Sequence, residues 1–474
     1  MPDLQYLSAH ETLDLFRSRQ LSPVEHLEAM IDRIESVDPI INAVVDRRYD
    51  EARAEARQAE LRYGGQGDAP RPLEGLCVAA KEEHTMVGRP SQQGSLAFAD
   101  EIAEYDHPII ERIQSAGGII HIRTATPEFS CAAFCHSELW GVTRNPWNIE
   151  FSPGGSSGGS AAALAAGFAP LATGSDIAGS IRIPASFSGV VGFKPPFGRV
   201  PGLAPYHLDQ YCHDGPLART VADCSLLENV IAGPHWRDVV SLRDPPQIPR
   251  ESAGIAGMRV ALCMTLGDWP VHPDVVANTN RVAVALGDAG AHVDEVVLPW
   301  TTERFWDAAR AHIGAIFGSG VAAVQAECGD LLNDYTKQFA SSIHSRLTFY
   351  EGLVEETSLW EPLGHLFESV DVLLCPTIAT TGLEAGKSYV DEQIVVEGHA
   401  LEHHFMAMMT LPFNLFSRCP VLAVPSGLAT NGVPTGVQVV GRTYEDISVF
   451  QVGAAIEAAG FGFGSPSWRP PLGS

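Results

Sequence analysis

The stretch Ser152–Pro184, SPGGSSGGSAAALAAGFAPLATGSDIAGSIRIP, limits what this chain can become more than any other part of it. Two Gly/Ser-rich turns, Gly154–Ser160 and Gly174–Ser180, flank the uncharged segment Ala161–Ala169. That segment consists mainly of strong helix formers, so it reads as a buried helix packed closely against its neighbours. Each turn therefore sits at an end of a core element. Glycine lets the backbone turn sharply and approach a bound group, and serine supplies a hydroxyl that can act as nucleophile, relay or acceptor. Two such turns held by one rigid element point to a site.

Two familiar loops fit these residues poorly. GGSSGGS lacks the lysine that follows the last glycine of a phosphate-binding P-loop. A G-x-S-x-G elbow is also poorly matched, because Ser157 gives G-S-S-G-G and Ser180 gives A-G-S-I-R. Upstream, Leu76–Ala80 reads as a short buried strand ending at Lys81, just before Glu82, Glu83 and His84. Taken alone, such a lysine is a strand-end charge reaching for solvent.

Taken together, these residues resemble the amidase signature family. Its pattern is a GGSSGGS turn, an Ala-rich helix and a G-S/T-D-x-G-G-S-I-R-x-P turn, here Gly154–Ser160 and Gly174–Pro184. The resemblance extends to Thr143–Asn148 (TRNPWN), Gly189–Pro201, Gly215–Asp223, Leu411–Gly427 and Gly432–Arg442. It implies an α/β amidase signature fold over residues 1–474, with a central mixed, twisted β-sheet covered by helices on both faces. Residues 1–66 would be N-terminal helices, 67–245 the catalytic core, 300–400 a variable, mainly helical substrate region and 411–474 a return to the core.

The resemblance also assigns roles. Ser180 would be the nucleophile, Ser156 a bridging serine after a cis Gly155–Ser156 peptide, and Lys81 the base. An amide is a poor electrophile with a poor leaving group, so it needs an activated nucleophile, an oxyanion site and a proton for the departing nitrogen. The turn Ile177–Ala178–Gly179–Ser180 would supply oxyanion donors, with Ala178 where glycine is common. Ser157 and Ser175 would be supporting hydroxyls, and Asp176 and Arg182 a pair bracing the loop. Lys81 should be neutral, because burial disfavours its charge and the glycine-rich turns bring no carboxylate. Histidine offers a competing base, but no ordered Ser-His-Asp pattern accompanies His84, His136 or His213. Candidate pocket walls are Phe129, Ala132, Phe134, Tyr206 and Tyr211. Arg418 departs from the pattern and would place a cation near the substrate mouth.

Composition narrows the function further. A net charge of −26 repels phosphate backbones and anionic lipid surfaces, so neither nucleic acid nor membrane is an expected partner. Nine cysteines without a C-x-x-C pair argue against a disulfide framework or structural zinc. Neither metal nor cofactor is expected. The N-terminus shows no basic flank leading into an apolar run, and the chain reads as cytoplasmic. Ser8 with Glu11, and Ser22 with Pro23 and Glu25, mark two helix starts, and Glu51–Arg62 a third helix. Later expectations are helices at Val275–Ala289, Glu303–Phe317, His344–Leu363 and Glu445–Ala459.

The implied activity is hydrolysis of a small to medium, apolar amide through an acyl-enzyme, extending to aryl amides, carbamates and esters. The implied partner is a small-molecule amide or carbamate, with a homodimer allowed. The alternative within the family is the glutaminase subunit of a tRNA-dependent amidotransferase, which Leu208-Asp209-Gln210 resembles.

Overall fold

The strand ending in Lys81 alternates its small apolar side chains between two faces. Val78 and Ala80 pack with residues of helices Ala9–Arg17, Pro108–Ser115 and Val221–Ile231. Ala79 packs the other way, with the helix Gly158–Ala165. This period of two is what a sheet covered on both faces requires. The architecture comes from a computed structural model that describes residues 3–465 and 467–472.

Eleven strands form the sheet: β1 Val44–Arg47, β2 Cys77–Lys81, β3 Ile119–Thr124, β4 Leu171–Asp176, β5 Val191–Lys194, β6 His213–Ala218, β7 Arg259–Leu262, β8 His292–Glu295, β9 Val372–Pro376, β10 Val421–Leu428 and β11 Pro434–Gly441. Their order is β1-β3-β2-β4-β6-β5-β10-β11-β9-β7-β8. Strands β3, β2 and β4 run parallel, as do β9, β7 and β8, and the remaining pairs are antiparallel. The fold is thus a mixed α/β sheet. β1 was not anticipated; it pairs with β3 at the sheet edge.

Both N-terminal helix starts carry reciprocal capping boxes, Ser8 with Glu11 and Ser22 with Glu25. The third helix runs Tyr49–Tyr63. The helix expected from Glu303 is α-helical over Thr302–Ile313 and passes through a wider π turn, Gly314–Gly318, into Ser319–Cys328. The helix expected from His344 starts instead at Phe349, behind a Thr348/Glu351 capping box. No helix among the described residues is long and apolar enough to cross a membrane.

The helix Gly158–Ala165 is buried along its whole length. A side chain at Gly159 would place its Cβ 2.5 Å from the Ala125 nitrogen, so only glycine lets this helix approach the chain beyond β3. This close fit sets the position of Ser156, just before the helix.

Candidate active site

Lys81 does not reach solvent. Its side chain is fully buried, and its backbone N–H donates to Thr173 Oγ1 at 3.0 Å. Its Nζ lies 2.7 Å from Ser156 Oγ, 2.7 Å from Ser175 Oγ and 3.2 Å from Ser130 Oγ. The strand-end reading fails because β2 stops beneath the two Gly/Ser turns rather than at the surface. The Gly155–Ser156 peptide is cis. A side chain at Gly155 would strike the carbonyl oxygens of Phe134 and Ala132, so the turn admits only glycine there.

One expectation about the amine is overturned. Glu83 Oε2 lies 2.6 Å from Lys81 Nζ, so a carboxylate is in direct contact with it. The glycine turns bring none, as expected, but β2's own continuation does. Glu83 also accepts from Ser130 and Ser175, each at 2.9 Å. Burial pushes the Glu83 carboxyl up, yet Lys81 and His84 pull it further down, and it is held below the ordinary carboxylate value. Sequence reasoning missed both Glu83 and Ser130. The Glu82-Glu83 run after the lysine was the available signal for the first. Ser130 had none: it depends on left-handed backbone at two successive non-glycine residues, Phe129 at φ 49° and Ser130 at φ 59°.

Ser156 and Ser180 line one cavity, of about 350 Å³. No hydrogen bond joins their hydroxyls among the described residues. Instead the turns meet through backbone and flanking groups. Ser157 N–H donates to the Ser180 carbonyl at 3.1 Å, and Ser157 Oγ both donates to the Ser175 carbonyl and accepts its N–H, each at 3.3 Å. A second, apolar arm of about 40 Å³ opens beside Ser180. Ser130, Ile177, Ser180 and Phe317 line both spaces, which puts Ser180 at their junction.

The loop after β4 is held by Asp176 and Arg182. The guanidinium donates to both Asp176 oxygens, at 3.0 and 2.9 Å, and further to Gln438 Oε1, Asn414 Oδ1 and the Thr410 carbonyl. Burial raises the Asp176 carboxyl, but Arg182 outweighs it and keeps Asp176 well below its usual value. Asp176 also accepts the Gly179 N–H at 2.8 Å and the Ile181 N–H at 3.2 Å. That corrects the donor assignment: the Gly179 N–H is occupied, whereas those of Ile177, Ala178 and Ser180 have no acceptor among the described residues. The left-handed position of the turn is Gly179, at φ 131°, not Ala178, so the alanine methyl is accommodated without backbone strain and lines the small arm.

The wall candidates divide. Phe129 and Tyr206 line the large cavity and Ala132 the small arm. Phe134 and Tyr211 line neither. Phe134 stacks on His136 with centroids 4.5 Å apart, and Tyr211 stacks on His312 while its hydroxyl donates to Glu356. Both aromatics satisfy the core instead. Arg418 is exposed and lines neither space, so it does not supply the cation expected at the mouth. The 300–400 region reaches the site through Trp306, Ile313, Phe317, Phe339 and Ile343, and Phe405 and Met408 join them. Among the histidines, none is hydrogen-bonded to Ser156 or Ser180. His213 is occupied by Lys194 and by the carbonyls of Tyr211, Asp176 and Ser417.

A family profile described as Amidase matches residues 25–450. The chain belongs to the amidase signature family. As an amidase it is a C–N hydrolase. Relatives of this amidase include an acylamidase of Rhodococcus erythropolis, 32% identical over 96% of each chain. They also include a glutamyl-tRNA(Gln) amidotransferase component of Moorella thermoacetica, 30% identical over 96% of this chain and 97% of the relative. A solved bacterial aryl acylamidase of the family superposes with a TM-score of 0.88 at 29% identity, covering 96% of both chains.

Proposed function

We propose that this amidase hydrolyses small to medium linear amides, aryl amides and carbamates with an apolar acyl half through an acyl-enzyme on Ser180. The observation that carries the reading is the 2.7 Å contact of the buried Lys81 amine with Ser156 Oγ, in a cavity that Ser156 shares with Ser180. Uncharged Lys81 takes the Ser156 proton as Ser156 takes that of Ser180, and Ser180 Oγ attacks the carbonyl carbon. The N–H groups of Ile177, Ala178 and Ser180 receive the oxyanion. The relay then runs backwards, handing the proton through Ser156 to the departing nitrogen, and water repeats the cycle on the ester.

The small arm suits the acyl half. Its lining, with Trp306, Ile313, Phe339 and Met408, is apolar, so it takes an alkyl acyl chain. The competing reading, a glutaminase component of an amidotransferase, is favoured by the names of several relatives. Glutamine, however, presents an α-carboxylate that needs a cation, and among the described residues no Lys or Arg lines either space. A cytoplasmic setting fits nine cysteines that are all free thiols.

The test is a panel of anilides, primary amides, carbamates and glutamine. Short-chain anilides and carbamates should be turned over and glutamine not. Lys81→Ala and Ser180→Ala should each lower kcat by about 10³-fold or more, given the size of base and nucleophile effects. Near-normal turnover by Lys81→Ala would overturn the relay, and ammonia release from glutamine would restore the alternative.

A further inference from the structure

The large cavity has a charged wall that the reaction does not use. His84 and His107 converge on Asp214, whose Oδ1 lies 3.0 Å from His84 Nε2 and whose Oδ2 lies 3.4 Å from His107 Nε2. The three groups have the composition of a metal site, but their protons argue otherwise. His107 Nδ1 accepts the Ile109 N–H at 3.3 Å, so in the neutral ring the proton sits on Nε2 and faces Asp214. Thr173 Oγ1 accepts the Lys81 N–H and turns its own hydrogen to His84 Nδ1 at 2.8 Å, which places the His84 proton on Nε2 as well. Both rings donate to the carboxylate rather than offering lone pairs to an ion.

Each imidazole presents one ring nitrogen to the carboxylate, and together they use two of its roughly four acceptor positions. The Asp238 carboxylate, also on this wall, accepts the N–H groups of Gly202 and Val240, each at 2.9 Å. Glu83 and Asp176 are matched by Lys81 and Arg182; Asp214 and Asp238 are matched by no Lys or Arg among the described residues. Arg237 is exposed and stacks over Trp236 and over Tyr105, itself a residue of the cavity wall. Burial, then Asp209, Asp214 and Glu83, push the neighbouring Cys212 thiol well up.

We propose that the large cavity takes an amine half carrying a second, cationic nitrogen, so that monoacylated diamines are preferred substrates, with Asp214 and Asp238 as the counter-charge. This rests on the assignment of Ser180 as nucleophile with the acyl half in the small arm. The test compares kcat/KM for N-butyryl-1,5-diaminopentane, its uncharged counterpart N-hexylbutyramide and its anionic counterpart N-butyryl-6-aminohexanoate. The ammonium compound should lead the uncharged one by roughly five- to tenfold and the carboxylate should trail both, as expected of partly screened charges at contact range. Asp214→Asn and Asp238→Asn should each shrink that ratio, and added salt should shrink it in the unmodified chain. Equal rates for the ammonium and uncharged compounds, or a lead for the carboxylate, would overturn the proposal while leaving amide hydrolysis intact. Should none be hydrolysed, the Ser180 reading falls, and dissociation constants of the same three compounds on the Ser180→Ala chain decide this one: the same ranking supports it, equal values refute it.

Discussion

At the scale of the residue, the least expected contact is Glu83 against Lys81. A carboxylate at 2.6 Å favours the charged amine, whereas the relay needs the uncharged one. Replacing Glu83 by Gln removes that opposing charge and should raise kcat/KM at neutral pH; an unchanged value would remove Glu83 from the proton account. That Lys81 would meet Ser156, and that Ser156 would share a cavity with Ser180, was legible because three short runs of sequence resemble one family pattern in order. Glu83 was not, since a Lys-Glu-Glu run after a buried strand looks the same whether it turns outward or beneath a neighbouring turn. Phe134 and Tyr211 misled for a related reason: an aromatic in an apolar run is marked for burial, and only its partners, His136 and His312, show that it is buried away from the cavity.

At the scale of the element, the loop after β4 depends on one fully buried ion pair. Asp176→Ala would leave the Arg182 guanidinium uncompensated, with an expected loss of about 3–5 kcal/mol, measurable by urea unfolding. Because the folded-state carboxyl is held below its unfolded value, Asp176 contributes stability that is complete above the unfolded carboxylate range, about pH 3.9. That contribution is lost as pH falls through the folded value, so the acid limb of the stability curve should be shallower in the variant. An equally steep limb would show that other carboxylates dominate there. Most helices were readable from capping and periodicity, as at Ser8/Glu11 and Ser22/Glu25. The edge strand Val44–Arg47 was not, because four residues with two charges carry no period until β3 provides a partner.

At the scale of the whole molecule, burial of the thiols offers a direct check on packing. Seven of the nine cysteines are buried, leaving Cys212 and Cys328 partly accessible. A thiol reagent should modify at most two groups in the native chain, with Cys212 slow because its thiol is pushed up, and nine after denaturation. Three or more fast native groups would contradict the core described above. That the sheet is mixed was implied by the family resemblance, but its strand order was not legible, since β10 and β11 return between β5 and β9 only through pairings between distant parts of the chain. Arg182 likewise draws on distant chain for its acceptors. Besides Asp176, they lie at Thr410, Asn414 and Gln438, more than two hundred residues downstream. A ribosome-bound chain still short of Gln438 lacks those acceptors, so the turn that carries Ser180 stays untethered until they have been made.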